Sequence, residues 1–192
     1  MFDPSLLWIW IAVGVVALIA VIALVAYTSG KRAVARARER VDGAWSEVEG
    51  HVRRRGELAG RLGEALGEAA PQERAAIAQL DAANRAALEA GGPSALSSAE
   101  NGFQAALRDA LHVAKGYPAL AQRPDFLELQ SELVQADERI QASRRFYNGG
   151  VRELGTKTRT FPGSLVSGGK EEREYFDAAD KAAVAAPPRI EF

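Results

Sequence analysis

The sequence predicts an all-α protein: an N-terminal transmembrane helix followed by a long antiparallel three-layer helical bundle with a broken middle arm. Three observations predict it. Residues 6–27 carry no charged side chain. The rest of the chain is rich in Ala, Arg, Glu and Leu, which are strong helix formers. Beyond position 30 the apolar residues recur at helical spacing, with no sustained period-two alternation that would indicate strands.

The first element is the span, residues 6–28. A helix crosses a hydrocarbon core of about 30 Å with roughly 20 residues, so the run is long enough. Trp8, Trp10 and Tyr27 lie near its ends, where amphipathic rings prefer the interface. A cleaved signal peptide is the competing reading. It is disfavoured because Asp3, and no Lys or Arg, precedes the run. The run also exceeds the usual apolar region of about 7–15 residues, and no small-x-small cleavage site follows it. Lys31, Arg32, Arg36, Arg38 and Arg40 come directly after the span. Positive flanks stay on the cytoplasmic side, so the N-terminus faces out and the remainder faces in. The outer tail, residues 1–5, is too short for a ligand-binding domain. The same cations suit anionic lipid headgroups, each contributing about 1 kcal/mol near the surface.

The first cytoplasmic helix continues from the span, with no proline between Leu6 and Ala70, and Ser29 and Gly30 as the place for a kink. Val34, Val41, Val48 and Leu62 repeat by sevens, and Trp45, Val52, Ala59 and Leu66 widen the face. The middle arm starts at Pro71, a first-turn proline, and breaks at Gly91, Gly92 and Pro93. Ile77, Leu80, Phe103, Leu107 and Leu111 anchor it. Pro118 and Pro124 bracket a short turn. The last helix carries Phe126, Leu133, Ile140, Tyr147, Leu154 and Phe161 at every seventh position, interleaved with Leu129, Ala136, Ser143, Gly150 and Lys157. This is a coiled-coil-like seam whose small positions admit a close neighbour. Pro162 and Gly163 end it. The bundle therefore occupies residues 31–162, and residues 163–192 form a loosely structured tail.

These residues also carry a resemblance. VDGAWSEVEGHVRRRGELAGRL at 41–62, YPALAQRPDFLELQSELVQADERIQASRRFYNGGVREL at 117–154, FPGSLV at 161–166, REYF at 173–176 and PPRIEF at 187–192 resemble the LemA family of bacterial membrane proteins. The resemblance implies an all-helical bundle on a membrane anchor, with no defined biochemical role. A distant relative acts in magnetosome formation, which implies membrane-organising work by analogy alone. Gly60 and Arg61 stand where the family commonly has Pro-Asn, and Gly155 where it commonly has Asn.

Composition excludes several chemistries. The chain has no cysteine, so disulfides, zinc–thiolate sites and thiol catalysis are absent. The net charge of −1 leaves no overall basic footprint for nucleic acid. His51 and His112 are isolated histidines, which read as packing or surface residues without a partner acid–base constellation. Glu128, Glu132, Asp137 and Glu138 share a helix with Arg139, Arg144 and Arg145, and read as a solvated face with i,i+4 ion pairs. No catalytic, cofactor or metal site is readable. Two polar residues stand out. Arg55 falls on the apolar column between Val48 and Leu62, so it either pairs with an acid across the bundle or leads its guanidinium out to solvent. Asn148 follows the core aromatic Tyr147 and predicts an interhelical hydrogen bond. The acids and aromatics near Glu174, Tyr175 and Phe176 suit a partner or a fold back onto the bundle.

The function expected is that of a membrane-anchored, non-enzymatic helical interaction or scaffold protein. Its partners would be the lipid bilayer together with proteins, or further copies of itself, at the inner membrane face. A membrane-organising protein assembling in the bilayer plane is one alternative, and an enzyme is the other.

Overall fold

A computed structural model describes residues 4–167 and 173–176. Six helices are present among them: α1 (Pro4–Ala69), α2 (Arg74–Leu88), α3 (Pro93–Lys115), α4 (Pro118–Ala121), α5 (Pro124–Arg159) and α6 (Ser164–Ser167). No strand occurs among the described residues. The all-α class and the long apolar N-terminal helix are as the sequence predicts.

The chain divides into two compact units, one comprising Met1–Val41 and Arg152–Arg173, the other Asp42–Val151 and Glu174–Phe192. In the first, α1 carries the apolar run, whose side chains from Trp10 to Val25 are exposed. The helix runs through Ser29 and Gly30 without a break. Gly30 is buried because the chain after α5 lies against it: a Cβ there would sit 2.7 Å from the Pro162 carbonyl oxygen. The glycine permits a backbone contact where the sequence suggested a kink. The two helices are antiparallel here. Val34 and Leu154 are buried, and Arg40 grips Glu153 through both guanidinium nitrogens at 2.9 and 3.0 Å.

The second unit contains four long helical segments. α2 runs antiparallel to α1. Side chains of α2 pack onto α1 at Gly56, where a Cβ would meet the Asn84 side-chain oxygen at 2.9 Å, and one heptad later at Gly63, opposite Asp81 and Ile77. Asn84 Nδ2 donates to the Gly56 carbonyl at 3.0 Å. α3 then returns parallel to α1, since Arg55 meets Glu100 at one end and Gln72 donates to the Tyr117 hydroxyl at 2.6 Å at the other. α5 is antiparallel to α1, with Trp45 against Tyr147 (ring centroids 5.4 Å apart) and Arg61 paired with Glu132 at 3.3 Å.

The middle of the bundle therefore differs from one broken arm. α2 and α3 fold back on each other, giving an up-down-up-down order. The reversal rests on Gly92, whose φ of +127° is a conformation side chains oppose, and on Pro93 opening α3. Pro71 also departs from expectation: it lies in the turn before α2, which begins at Arg74. Between Pro118 and Pro124 the chain makes a single helical turn, α4.

The core joins Leu58, Leu62 and Leu66 of α1 with Leu80, Phe103, Leu107, Leu120, Phe126, Leu129 and Leu133. Both predicted stripes lie in the interior, because a helix periodic in apolar residues is stable only when that face is covered. Phe161 is the exception. α5 ends at Arg159, so Phe161 falls in the following turn and is exposed.

Candidate functional site

The strongest concentration of polar chemistry lies inside the second unit. Arg55 is 1% exposed, although the two arginines just before it, Arg53 and Arg54, are exposed. Its place on the apolar column turns it inward, and two helices, α3 and α5, supply what a buried guanidinium requires. Nη1 donates to Glu100 Oε2 at 2.7 Å, Nη2 donates to Glu100 Oε1, and Nη1 also reaches Asp137 Oδ1 at 3.3 Å. Gln104 Nε2 donates to the same Asp137 oxygen at 2.6 Å. The Phe103 ring lies under the guanidinium carbon, 4.0 Å from its centroid. The arrangement uses the planar fork of arginine, which lysine lacks. Arg55 Nε is buried with no hydrogen-bond partner among the described residues.

Glu100 is the member the sequence reading missed. Its signal was the one that singled out Arg55: an isolated charge on an apolar column, here Leu96, Glu100, Phe103 and Leu107 of α3. Two lone charges of opposite sign, each on the inward face of its helix, are mutual candidates. Glu132 and Asp137 also depart from the expected pattern of ion pairs within α5. Glu132 meets Arg61 at 3.3 Å and Arg54 at 3.7 Å, both on α1, and Asp137 joins the buried cluster.

Asn148 is buried, and its Oδ1 accepts the Phe176 N–H at 3.0 Å. The Tyr147 hydroxyl donates to the Glu174 carbonyl at 2.8 Å. Phe176 is 2% exposed, with the Arg144 guanidinium 5.7 Å from its ring centroid. Residues 174–176 thus fold back onto α5, and Asn148 serves that segment beyond the helices. Most of the predicted tail, residues 168–172 and 177–192, lies outside the described residues, as does most of the outer tail.

His51 lines clefts of about 150 and 460 Å³ between α1 and α5, together with Arg139; the larger is also bordered by Glu47, Ser143 and Phe146. Its Nε2 is 3.7 Å from Glu47. His112 is exposed on α3. The Ser143 and Ser46 hydroxyls donate to the backbone of their own helices. Of the basic residues after the span, Lys31, Arg32, Arg36, Arg38 and Arg40 are all exposed. Arg40 is held by Glu153, whose carboxyl lies below the ordinary glutamate range because Lys157 hydrogen-bonds it at 2.6 Å and Arg40 adds charge.

The sequence profile of the LemA family matches residues 44–192. The chain belongs to the LemA family. The match takes in all of α2 to α6 and the α1 segment that carries Arg55, and it leaves out the apolar run. Comparison with curated proteins returns no match. The two glycines that depart from common LemA residues, Gly60 and Gly155, have nothing within 4 Å of the position a Cβ would take, so neither is required for packing. α1 is long and apolar enough to cross a membrane.

Proposed function

We propose that this LemA protein is a non-enzymatic interaction protein, anchored by α1 with its N-terminus outside and its helical bundle on the cytoplasmic face. The observation that carries the reading is the continuity of α1. One uninterrupted helix holds both the uncharged run and the stripe Val48, Leu58, Leu62 and Leu66 that builds the bundle core. An anchor that continues in the same helix into a bundle suits presentation of a surface to partners. The basic residues Lys31, Arg32, Arg36, Arg38 and Arg40 support the orientation.

The buried charges Arg55 and Glu100 support a structural role, since they are engaged with each other and with the half-buried Asp137. A reporter fused after Phe192 is expected to work only in the cytoplasm, and neutralising the five cations is expected to give mixed insertion. Activity of a periplasm-dependent fusion would reverse the orientation. Purification from mild detergent is expected to carry partner proteins along. If one substitution at His51, Arg55, His112, Asp137 or Asn148 kept fold and abundance yet abolished function in cells, an enzymatic reading would replace this one.

A further inference from the structure

The turn after α5 exposes two large apolar side chains. Phe161 is 72% and Leu165 62% exposed. The exposure does not come from a loose backbone. The Ser164 N–H donates to the Thr160 carbonyl at 2.9 Å, the Ser167 N–H to the Gly163 carbonyl at 3.1 Å, and the Ser167 hydroxyl to the Thr158 carbonyl at 2.8 Å. A well-bonded turn that holds a phenylalanine and a leucine away from the protein suits contact with an apolar medium on that side.

The position of the turn along α1 identifies the medium. A Cβ on Gly30 would lie 2.7 Å from the Pro162 carbonyl oxygen, and one on Gly163 would lie 3.2 Å from Val34 Cγ2. The turn is therefore fixed at the level of Gly30. Gly30 follows Tyr27, the end of the uncharged run, by three residues, which is about 4.5 Å at 1.5 Å per helical residue. The interfacial layer on each side of a bilayer is roughly 5–8 Å deep, the margin between a core of ~30 Å and a total of ~40–45 Å. With the run spanning the core, the turn falls within that layer, where aromatic rings are favoured.

We propose that Phe161 and Leu165 insert into the inner headgroup layer of the bilayer, making a second membrane contact beside α1, with the adjoining Lys31 and Arg32 facing anionic headgroups. This rests on the membrane-anchored reading above. The occupant is lipid because the exposed pair adjoins the membrane run and is flanked by cations, the pattern of interfacial anchoring.

The absence of native cysteine allows a direct test on the full chain in vesicles of phosphatidylcholine and phosphatidylglycerol. Phe161→Cys and Leu165→Cys, labelled with an environment-sensitive fluorophore, are compared with Val25→Cys in the run and Ser131→Cys on the exposed face of α5. The expected result is blue-shifted emission and quenching by spin-labelled lipid at 161 and 165, intermediate between Val25 and Ser131. Quenching at Val25 with water-like emission at 161 and 165 would overturn the second contact while leaving the anchor intact. Water-like emission at Val25 would overturn the anchor itself. Shielding at 161 and 165 that disappears when the protein is diluted with excess lipid would assign the surface to another copy of the chain and overturn the proposal. Because both side chains are exposed, the cysteine variants are expected to keep normal helicity, which circular dichroism checks.

Discussion

Arg40 and Arg55 lie on the same helix, and each forms a two-pronged pair with a glutamate, yet the two pairs differ in nearly every physical respect. Arg40 and Glu153 are about half exposed, so water screens their attraction and competes for their hydrogen bonds. Arg55 is removed from water and answered by two carboxylates, a glutamine and an aromatic face. Charge pairing in the interior offsets a large desolvation penalty, so the intact cluster adds little net stability while its disruption is expensive. What the buried pair adds is specificity: it accepts one register of α1, α3 and α5, because any slip strands a charge in the core. The exposed pair tolerates slippage.

That contrast predicts a graded series. Removing one partner of the buried cluster, by Arg55→Ala or Glu100→Ala, is expected to destabilise by about 3–5 kcal/mol, measured by denaturant unfolding of detergent-solubilised protein. Replacing the cluster jointly by Arg55→Met, Glu100→Leu and Asp137→Leu is expected to recover most of that loss. If the single changes were harmless, the cluster would not be buried in solution.

Ile140→Ala separates charge from volume. Ile140 is fully buried and apolar, so its truncation is expected to cost roughly 2–5 kcal/mol, with no rescue by a neighbouring charge change. A cost below about 0.5 kcal/mol, that of an indifferent surface site, would mean that the α5 face is uncovered.

Asn148→Ala leaves the Phe176 N–H without its acceptor in a buried setting, at about 1–3 kcal/mol. Its distinctive readout is local. Hydrogen exchange is expected to quicken at residues 174–176 before the helices respond, and uniform quickening would argue against a docked segment.

The smallest effect belongs to Arg40→Ala, at under about 1 kcal/mol and diminished further by salt. The depressed pKa of Glu153 gives the sign of its pH dependence. Its contribution is present above the ordinary glutamate value near 4.5 and is lost as pH falls through the depressed folded value. In Arg40→Ala and Lys157→Ala variants that acid-side loss is expected to shrink, and an unchanged acid limb in a careful titration would remove Glu153 from the account.

Much of this molecule follows from its sequence. Periodicity alone placed Val34, Val41, Val48 and Leu62, and then Phe126, Leu133, Ile140, Tyr147 and Leu154, on inward faces, because the 3.6-residue turn converts spacing into direction. The uncharged run and its cationic flank were likewise explicit, as were the breaks at Pro71, Gly92 and Pro93. A lone arginine on an apolar column marked Arg55 as unusual. Tertiary structure decided the rest. Whether Gly92 and Pro93 join two collinear helices or reverse the chain depends on which faces of α2 and α3 meet, and on the packing of Asn84 and Leu88 of α2 against Gly56. The partner of Arg55 was equally undetermined, since Glu100 is remote in sequence and several acids were available. The meaning of Gly30 came only from Pro162, brought against it by the antiparallel return of α5. Local sequence sets which way each side chain points along its own helix, but a contact between distant segments depends on how those helices pack, and no spacing rule within one helix encodes it.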